Sequence, residues 1–319
     1  MKYAFTISSA NYLPYAKSLG DSLLRTNPEY RFIIFLLDKY PDLDRTYFEP
    51  LQIIHAEEMD LPELAEMNGK YNIFELSCAF KPFAADWLFK TFTDAEVQFY
   101  FDSDILLFDR LSVAENKLQD HSVLITPHLF TAIEFESRIF LEKTCLRAGI
   151  YNAGFFGLKK SAGSDLFLKW WKKRMKDLCF NDVNNGLFVD QLWLNFAPVL
   201  FRDVTVLYDP GYNLAYWNME ERTLSIRETC FFVNEQFPLV FFHFSGYDIY
   251  DNSILSRFYP SFTFGTHPEY RSLFKEYSHS AIKNNNNNYF DMAPQMGKLP
   301  GKSEKKKSRR RGLLRLFSK

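Results

Sequence analysis

Val97-Gln98-Phe99-Tyr100-Phe101-Asp102-Ser103-Asp104-Ile105-Leu106-Leu107-Phe108 is an apolar and aromatic run broken by two acids one residue apart. A run of this length bounded by polar residues reads as a buried strand, and core packing has no use for carboxylates there. Each buried ion costs roughly several kcal/mol unless a cation or hydrogen-bond donors compensate it. The simplest compensation for Asp102 and Asp104 is a metal ion.

The residues before this run alternate between strand and helix signals. Tyr3 to Ser8 reads as a strand, Tyr12 to Leu24 as a helix turning Leu19, Leu23 and Leu24 inward, and Arg31 to Leu37 as a buried strand ending at Asp38. Leu51 to His55 is a further short strand. Ile73 to Phe89 carries helical spacing, and Pro82 predicts that the helix restarts near Lys81 instead of running straight through. Strands separated by helices predict an α/β chain, with a Rossmann-like, mixed but mostly parallel sheet flanked by helices. Ligands of such sheets bind beyond the carboxyl ends of the strands, where Asp102 and Asp104 fall.

The chain of 319 residues is 47% hydrophobic and 24% charged, the composition of a globular protein with one large domain or two fused halves. Met1 to Ser8 offers no signal-peptide stretch, and no segment approaches the ~20 apolar residues of a spanning helix, so the body is expected in the cytoplasm. Cys78, Cys145, Cys179 and Cys230 are scattered without a CxxC pair, which fits reduced thiols and no zinc knuckle.

Charge is unevenly spread. Lys302 to Lys319 holds nine Lys or Arg against one acid, Glu304, so this tail carries +8 and the remainder −9. Asn284 to Asn288 and the stretch around Pro294 and Pro300 read as linker. The expected division is a single domain over 1–280, a low-complexity linker over 281–301 and a flexible basic tail over 302–319. Leu313, Leu314, Leu316 and Phe317 share one helical face with Arg315 opposite, the pattern of an interfacial anchor for an anionic membrane surface. The alternatives are a solvated terminus or a nucleic-acid-binding tail.

Downstream, Ile150-Tyr151-Asn152-Ala153-Gly154-Phe155-Phe156-Gly157-Leu158-Lys159 is an apolar strand interrupted by an amide and two glycines. It reads either as backbone approaching a ligand closely or as a bulge in a core strand. Ser164 to Leu178 follows as a helix whose Phe167, Leu168, Trp171 and Met175 stripe is core. In Gly186 to Leu194, Asp190 and Gln191 open an apolar helix, where Asp190 could serve simply as an acid favoured by the helix dipole. His243, in Leu239 to Asp248, stands at a strand end beside Ser245 and Gly246. A lone strand histidine is usually a satisfied core residue, but the flexible turn after it suits a position facing a diphosphate or a metal.

In this order the pieces resemble glycosyltransferase family 8 and related bacterial retaining sugar transferases of the GT-A fold, a group that includes glycogenin and lipopolysaccharide hexosyltransferases. The resemblance covers roughly the first 250 residues. It rests on Thr6 to Tyr15, Ala79-Phe80-Lys81-Pro82-Phe83, Asp102-Ser103-Asp104, Asn152-Ala153-Gly154, Asp190-Gln191 and His243-Phe244-Ser245-Gly246.

The resemblance implies a metal-dependent retaining hexosyltransferase that moves a hexosyl unit from a nucleotide sugar, a UDP-hexose, to a glycan, glycolipid or cell-surface polysaccharide acceptor. Asp102, Asp104 and His243 would hold Mn²⁺ or Mg²⁺ with the donor diphosphate. Thr6, Asn11, Ser103 and Gly246 would line the nucleotide pocket, Lys81 would add charge near the phosphates or ribose, and Asn152 and Gly154 would frame the sugar. Asp190 and Gln191 match the residues at the reacting face. Front-face attack with Gln191 stabilising positive charge through its carbonyl, and Asp190 orienting the sugar, is favoured over a double displacement. The implied place of work is the cytoplasm or the inner face of the cell membrane, with no nucleic acid partner.

The chain departs from the pattern where Ser9 and Ala10 replace an acid before Asn11, where Ile249 stands near an expected lysine, and where Pro127 and His128 replace an acceptor-binding acid. Other classes share parts of this signature. A haloacid-dehalogenase-type phosphatase uses a similar acid pair, but at the end of its first strand. A nucleotidyltransferase needs a glycine-rich, basic first loop, which Ser8-Ser9-Ala10-Asn11 is not. A degenerate sugar-nucleotide scaffold would have no need of both aspartates, His243 and the Asp190-Gln191 pair.

Overall fold

The computed structural model describes residues 1–134, 139–251 and 253–297. Strands β1 (Lys2–Ser8), β2 (Tyr30–Leu36), β3 (Gln52–His55), β4 (Val97–Phe101), β6 (Val123–Pro127) and β7 (Tyr151–Lys159) join Val204–Val206 in a seven-stranded sheet. Its order is Val204–Val206, β6, β7, β4, β1, β2, β3. Within the sheet β7 alone runs antiparallel to its neighbours β4 and β6, while β1, β2, β3 and β4 are mutually parallel. The α/β, mostly parallel arrangement read from the sequence is the one observed.

Chain connectivity places the site. From β1 the chain reaches β2 on one side and, later, β4 on the other, so a crevice opens at the carboxyl ends of β1 and β4. Asp102 follows β4 directly. A short strand β5 (Ile105–Leu107) then leaves the main sheet to pair with Phe241–His243.

Both faces of the sheet are covered, which explains its near-continuous apolar strands. Alternate residues of β1 and β4 divide between two cores: Tyr3, Phe5, Ile7 and Tyr100 face one, Ala4, Phe99 and Phe101 the other. Helix α1 (Leu13–Thr26) starts with Pro14 in its first turn and buries Leu13, Leu19 and Leu23. After α2 (Pro62–Lys70) comes α3 (Ile73–Thr91), opened by a capping box between Asn72 and Glu75.

Helix α3 corrects one expectation. It runs unbroken through Pro82. An interior proline costs about 3 kcal/mol. Leu76, Ala79, Phe80, Phe83, Ala84 and Leu88 are all buried along this helix, and each large apolar side chain so buried is worth about 1.5–3 kcal/mol. Packing therefore carries the helix past the break.

Helix Ala162–Leu178 buries Phe167, Leu168, Trp171 and Met175 as expected. The apolar helix expected after Gln191 is shorter than its pattern suggests, a 3₁₀ turn over Leu192–Phe196 followed by Ala197–Leu200.

The stretch expected to be linker from 281 onward lies against the body as far as Gly297. Helix Arg271–Lys283 runs past residue 280, Asn284 Nδ2 donates to Ser18 Oγ at 3.0 Å, and Tyr289 and Met296 are buried. The buried Asp38 carboxylate accepts the main-chain N–H groups of Gln295 at 2.6 Å and Met296 at 3.0 Å. Asparagines that look like low complexity in the sequence cap and bridge here. The basic segment 302–319 lies outside the described residues. Among the described residues no helix is long and apolar enough to cross a membrane.

Candidate active site

The register between β5 and Phe241–His243 sets Ile105 opposite His243, which brings the imidazole to the acids just before β5. His243 Nε2 lies 3.1 Å from Asp104 Oδ1 and 3.9 Å from Asp102 Oδ2. One ligand atom from each residue lies within 4.8 Å of the other two, a spacing that suits a divalent cation. On the far side of the ring, Nδ1 is 3.4 Å from Asn213 Oδ1, so an Nδ1–H donor leaves Nε2 free to ligate. The Trp217 ring packs edge-on at 5.2 Å.

Electrostatics of the cluster point the same way. Burial disfavours a charged His243, yet the Asp104 and Asp102 carboxylates outweigh it and raise its pKa. Burial likewise opposes the Asp104 carboxylate, and His243 overcomes it to hold that carboxyl below its usual range. Negative charge gathered in this way attracts a cation.

Gly154 makes room for this cluster. A Cβ there would come within 2.6 Å of His243 Cε1 and 2.8 Å of both Asn152 Oδ1 and Asp102 Oδ2. Strand β7 arches at this point: its pairing with β6 jumps from Ile125↔Phe156 to Thr126↔Asn152, freeing Ala153 to Phe155 from β6. The Gly154 carbonyl accepts the Asp102 N–H at 2.8 Å. The two readings of this strand are thus one feature, a bulge beside the site. Gly154→Ala is expected to weaken Mn²⁺ binding at least tenfold in calorimetry while leaving far-UV circular dichroism unchanged, because displaced ligands cost about 10–100-fold in metal affinity.

Lys81 joins the acid cluster to the Asp190-Gln191 segment. Its Nζ donates to the Ala153 carbonyl at 3.0 Å and pairs with Asp102 Oδ1 at 3.2 Å and Asp190 Oδ2 at 2.8 Å. The carbonyl takes a hydrogen bond, while the two carboxylates hold the ammonium as ion pairs, and Asp190 Oδ2 has no hydrogen-bond donor aligned on it. Tyr100 Oη donates to Asp102 Oδ1 at 2.5 Å, and its ring lies under the ammonium at 4.7 Å. Burial pushes the Asp190 carboxyl upward against the pull of Lys81, while Asp102 and Asp190 together overcome the burial of Lys81 and keep it protonated. Asp190 sits behind Lys81 and does not line the cavity, so in this arrangement it reaches a ligand only through Lys81.

A chain of amides completes the wall. Asn152 Oδ1 accepts from the Gly154 N–H at 3.0 Å, and its Nδ2 faces both Gln191 Oε1 at 3.2 Å and His128 Nε2 at 3.1 Å. Gln191 Nε2 donates to the Ala148 carbonyl at 3.0 Å, which aims its own carbonyl at Asn152 and the Ala153 N–H. His128 Nδ1–H donates to the Ile150 carbonyl at 3.0 Å, and burial lowers its pKa to about 4. A neutral ring with Nε2 as acceptor is what Asn152 requires.

These groups line a cavity of about 720 Å³, together with Ser103, Gly246 and the aromatic side chains of Tyr12, Tyr15, Tyr216 and Trp217. Two expected pocket residues are not brought to it. Thr6 is fully buried and follows the alternation of β1 away from Ile7, which does line the cavity. Asn11 turns back to accept from Ser9 Oγ at 2.7 Å, and Ser9, Tyr12 and Tyr15 face the cavity from this junction instead.

The sequence reading missed Asn213, Trp217 and Tyr100. Asn213 has a left-handed backbone at φ 58 and lies thirty residues before His243, with no local pattern to flag it. Tyr100 reads as one more strand aromatic until its hydroxyl is seen on Asp102.

No protein-family model matches the chain. Two uncharacterized proteins of Bacillus subtilis (strain 168) are similar to it. YfnF is 28% identical over 249 residues, 76% of this chain and 81% of that protein, and YfnD is 24% identical over 250 residues, 76% and 77%. Among solved structures, the galactosyltransferase LgtC in complex with donor and acceptor sugar analogues superposes with a TM-score of 0.51 and 14% identity, over 92% of this chain and 98% of that one. The fold is the GT-A glycosyltransferase fold. Within it the acid pair after β4 and the amide wall from β7 belong to one cavity.

Proposed function

We propose that the protein is a metal-dependent retaining glycosyltransferase, a hexosyltransferase that takes a UDP-sugar and glycosylates a glycan, glycolipid or surface-polysaccharide acceptor. The observation that carries this reading is the convergence of Asp102, Asp104 and His243 on one wall of a cavity whose adjoining wall is Asn152 and Gln191. The donor set suits Mn²⁺ or Mg²⁺: two hard carboxylates, an imidazole oriented through Nδ1, and a glycine where any side chain would fill the space. When bound, such an ion supplies Lewis-acid neutralisation of a departing diphosphate.

The remaining work falls to the protein. In this reading Tyr12, Ser103 and Gly246, all lining the cavity, bound the nucleotide, and Asn152 and Gln191 orient the sugar. Asp102 and Asp104 are the carboxylates among the described cavity-lining residues, and both belong to the metal cluster. Among the described lining residues no further carboxylate is left as nucleophile, which supports front-face attack. In that route the donor's own leaving phosphate accepts the acceptor hydroxyl proton, and the Gln191 carbonyl, which here accepts from Asn152 and the Ala153 N–H, would turn to the developing positive charge.

The test is a panel of nucleotide sugars screened for thermal stabilisation with and without Mn²⁺. A ligand at a hundred times its dissociation constant adds ~2.7 kcal/mol. UDP-hexoses should stabilise the protein only with Mn²⁺, and a panel with no stabilising nucleotide sugar refutes the reading.

A further inference from the structure

The cavity wall carries a cation, Arg257, with no carboxylate partner among the described residues. Among the described residues its lysine and arginine lining is Lys81, Arg147 and Arg257. Lys81 is matched by Asp102 and Asp190. Arg147 lies in the last turn of helix Ile139–Ala148, where a cation complements the helix dipole. Arg257 has no ion pair with any carboxylate among the described residues, and its guanidinium lies over the Phe258 ring at 4.9 Å.

Its segment is pinned beside the metal cluster. The Arg257 N–H donates to the Gly246 carbonyl at 3.0 Å, and Ser256 Oγ donates to the Ser245 carbonyl at 2.8 Å. Gly246 has φ 76, and a Cβ there would meet Phe258 Cδ2 at 2.5 Å and Ser256 Oγ at 2.7 Å, so the two stretches are in close contact. Gly246 is three residues beyond His243. Tyr12 lines the same cavity, and burial raises the pKa of its hydroxyl, with Asp104 and Asp102 adding to the rise and Arg257 opposing it.

Charge balance then assigns a task. Asp102 and Asp104 formally cancel a divalent ion, and Asp190 is already paired with Lys81, so among the described lining residues Arg147 and Arg257 are left to match the charge of a diphosphate brought to this site, and Arg257 is the one held against Gly246. Ile249, buried in the core, brings no charge. We propose that Arg257 is the diphosphate-binding residue of this site, gripping the phosphates of a nucleoside-diphosphate donor from the side of Gly246. The proposal rests on the sugar-nucleotide reading above. A guanidinium presents paired donors to phosphate oxygens, and such charge-assisted bonds are the strong ones.

Calorimetry on the full chain with saturating Mn²⁺ tests it, using UDP, CDP, GDP, ADP and plain uridine as titrants. Arg257→Ala should weaken binding of UDP about ten- to a hundred-fold. It should leave uridine and Mn²⁺ binding unchanged, with Arg257→Lys restoring part of the loss. If Arg257→Ala binds UDP as the wild type does, or loses UDP and uridine equally, Arg257 has no phosphate role and the transferase reading stands. If the wild type binds none of the four diphosphates, both readings fall.

Discussion

Asp102→Asn is expected to lower metal-dependent hydrolysis of a nucleotide sugar by about a hundred- to a thousand-fold, the scale for losing one preorganised electrostatic group. The substitution keeps the size of the side chain and an oxygen for the Tyr100 hydroxyl, which donates to Oδ1 at 2.5 Å. It removes the charge that His243 Nε2 faces at 3.9 Å and that Lys81 meets at 3.2 Å. The loss should appear first as weaker Mn²⁺ binding in calorimetry, with the thermal midpoint little changed because this carboxylate is partly exposed. Hydrolysis at the wild-type rate with Mn²⁺ would show that the metal lies elsewhere. Asp104→Asn should behave alike, and should also let the pKa of His243 fall, since Asp104 is its largest favourable partner.

Lys81→Met should produce the largest loss of stability of any single change at the site. Both members of the Lys81–Asp190 pair are almost wholly inaccessible, with side chains 4% and 2% exposed. Removing one partner of a buried pair strands the other, at about 3–5 kcal/mol, or on the order of 10 °C in thermal midpoint for a chain of this size. Lys81→Met with Asp190→Asn should regain much of that loss, because the stranded charge is gone, and a double-mutant cycle in urea measures it.

The pH dependence has a definite sign. Burial already raises the Asp190 pKa in the folded protein. Without Lys81 it rises further, so the folded state binds a proton that the unfolded state has released. The penalty of Lys81→Met is therefore smallest in acid and grows as pH rises through the raised folded pKa of Asp190. A uniform penalty across pH, or one below about 1 kcal/mol, would mean that Asp190 is satisfied without Lys81.

Much of the site was legible because its chemistry violates the pattern around it. Acids inside an apolar run and glycines inside a strand stand out against their neighbours, and Asp102, Asp104, Asn152, Gly154 and His243 do meet. Where a residue conforms to its surroundings the signal fails. Thr6 was one position off, and a one-residue offset in a strand reverses the face. Pro82 looked like a break because local cost is visible in sequence and the burial that offsets it is not. Asn284 to Asn288 looked like linker because composition does not reveal that Asn284 reaches Ser18.

By itself the sequence determined the alternation of strands and helices, the sheet type and the acid pair at a strand end, since each is written in local periodicity and in residues that local packing cannot use. Only the tertiary structure decided which partners complete them. That Asp190 meets Lys81 of α3, that Asn213 orients His243, and that Arg257 stands beside Gly246 with no carboxylate partner among the described residues are contacts between separate segments of the chain. Such contacts follow from strand register and the close packing of elements, which no local stretch of residues encodes.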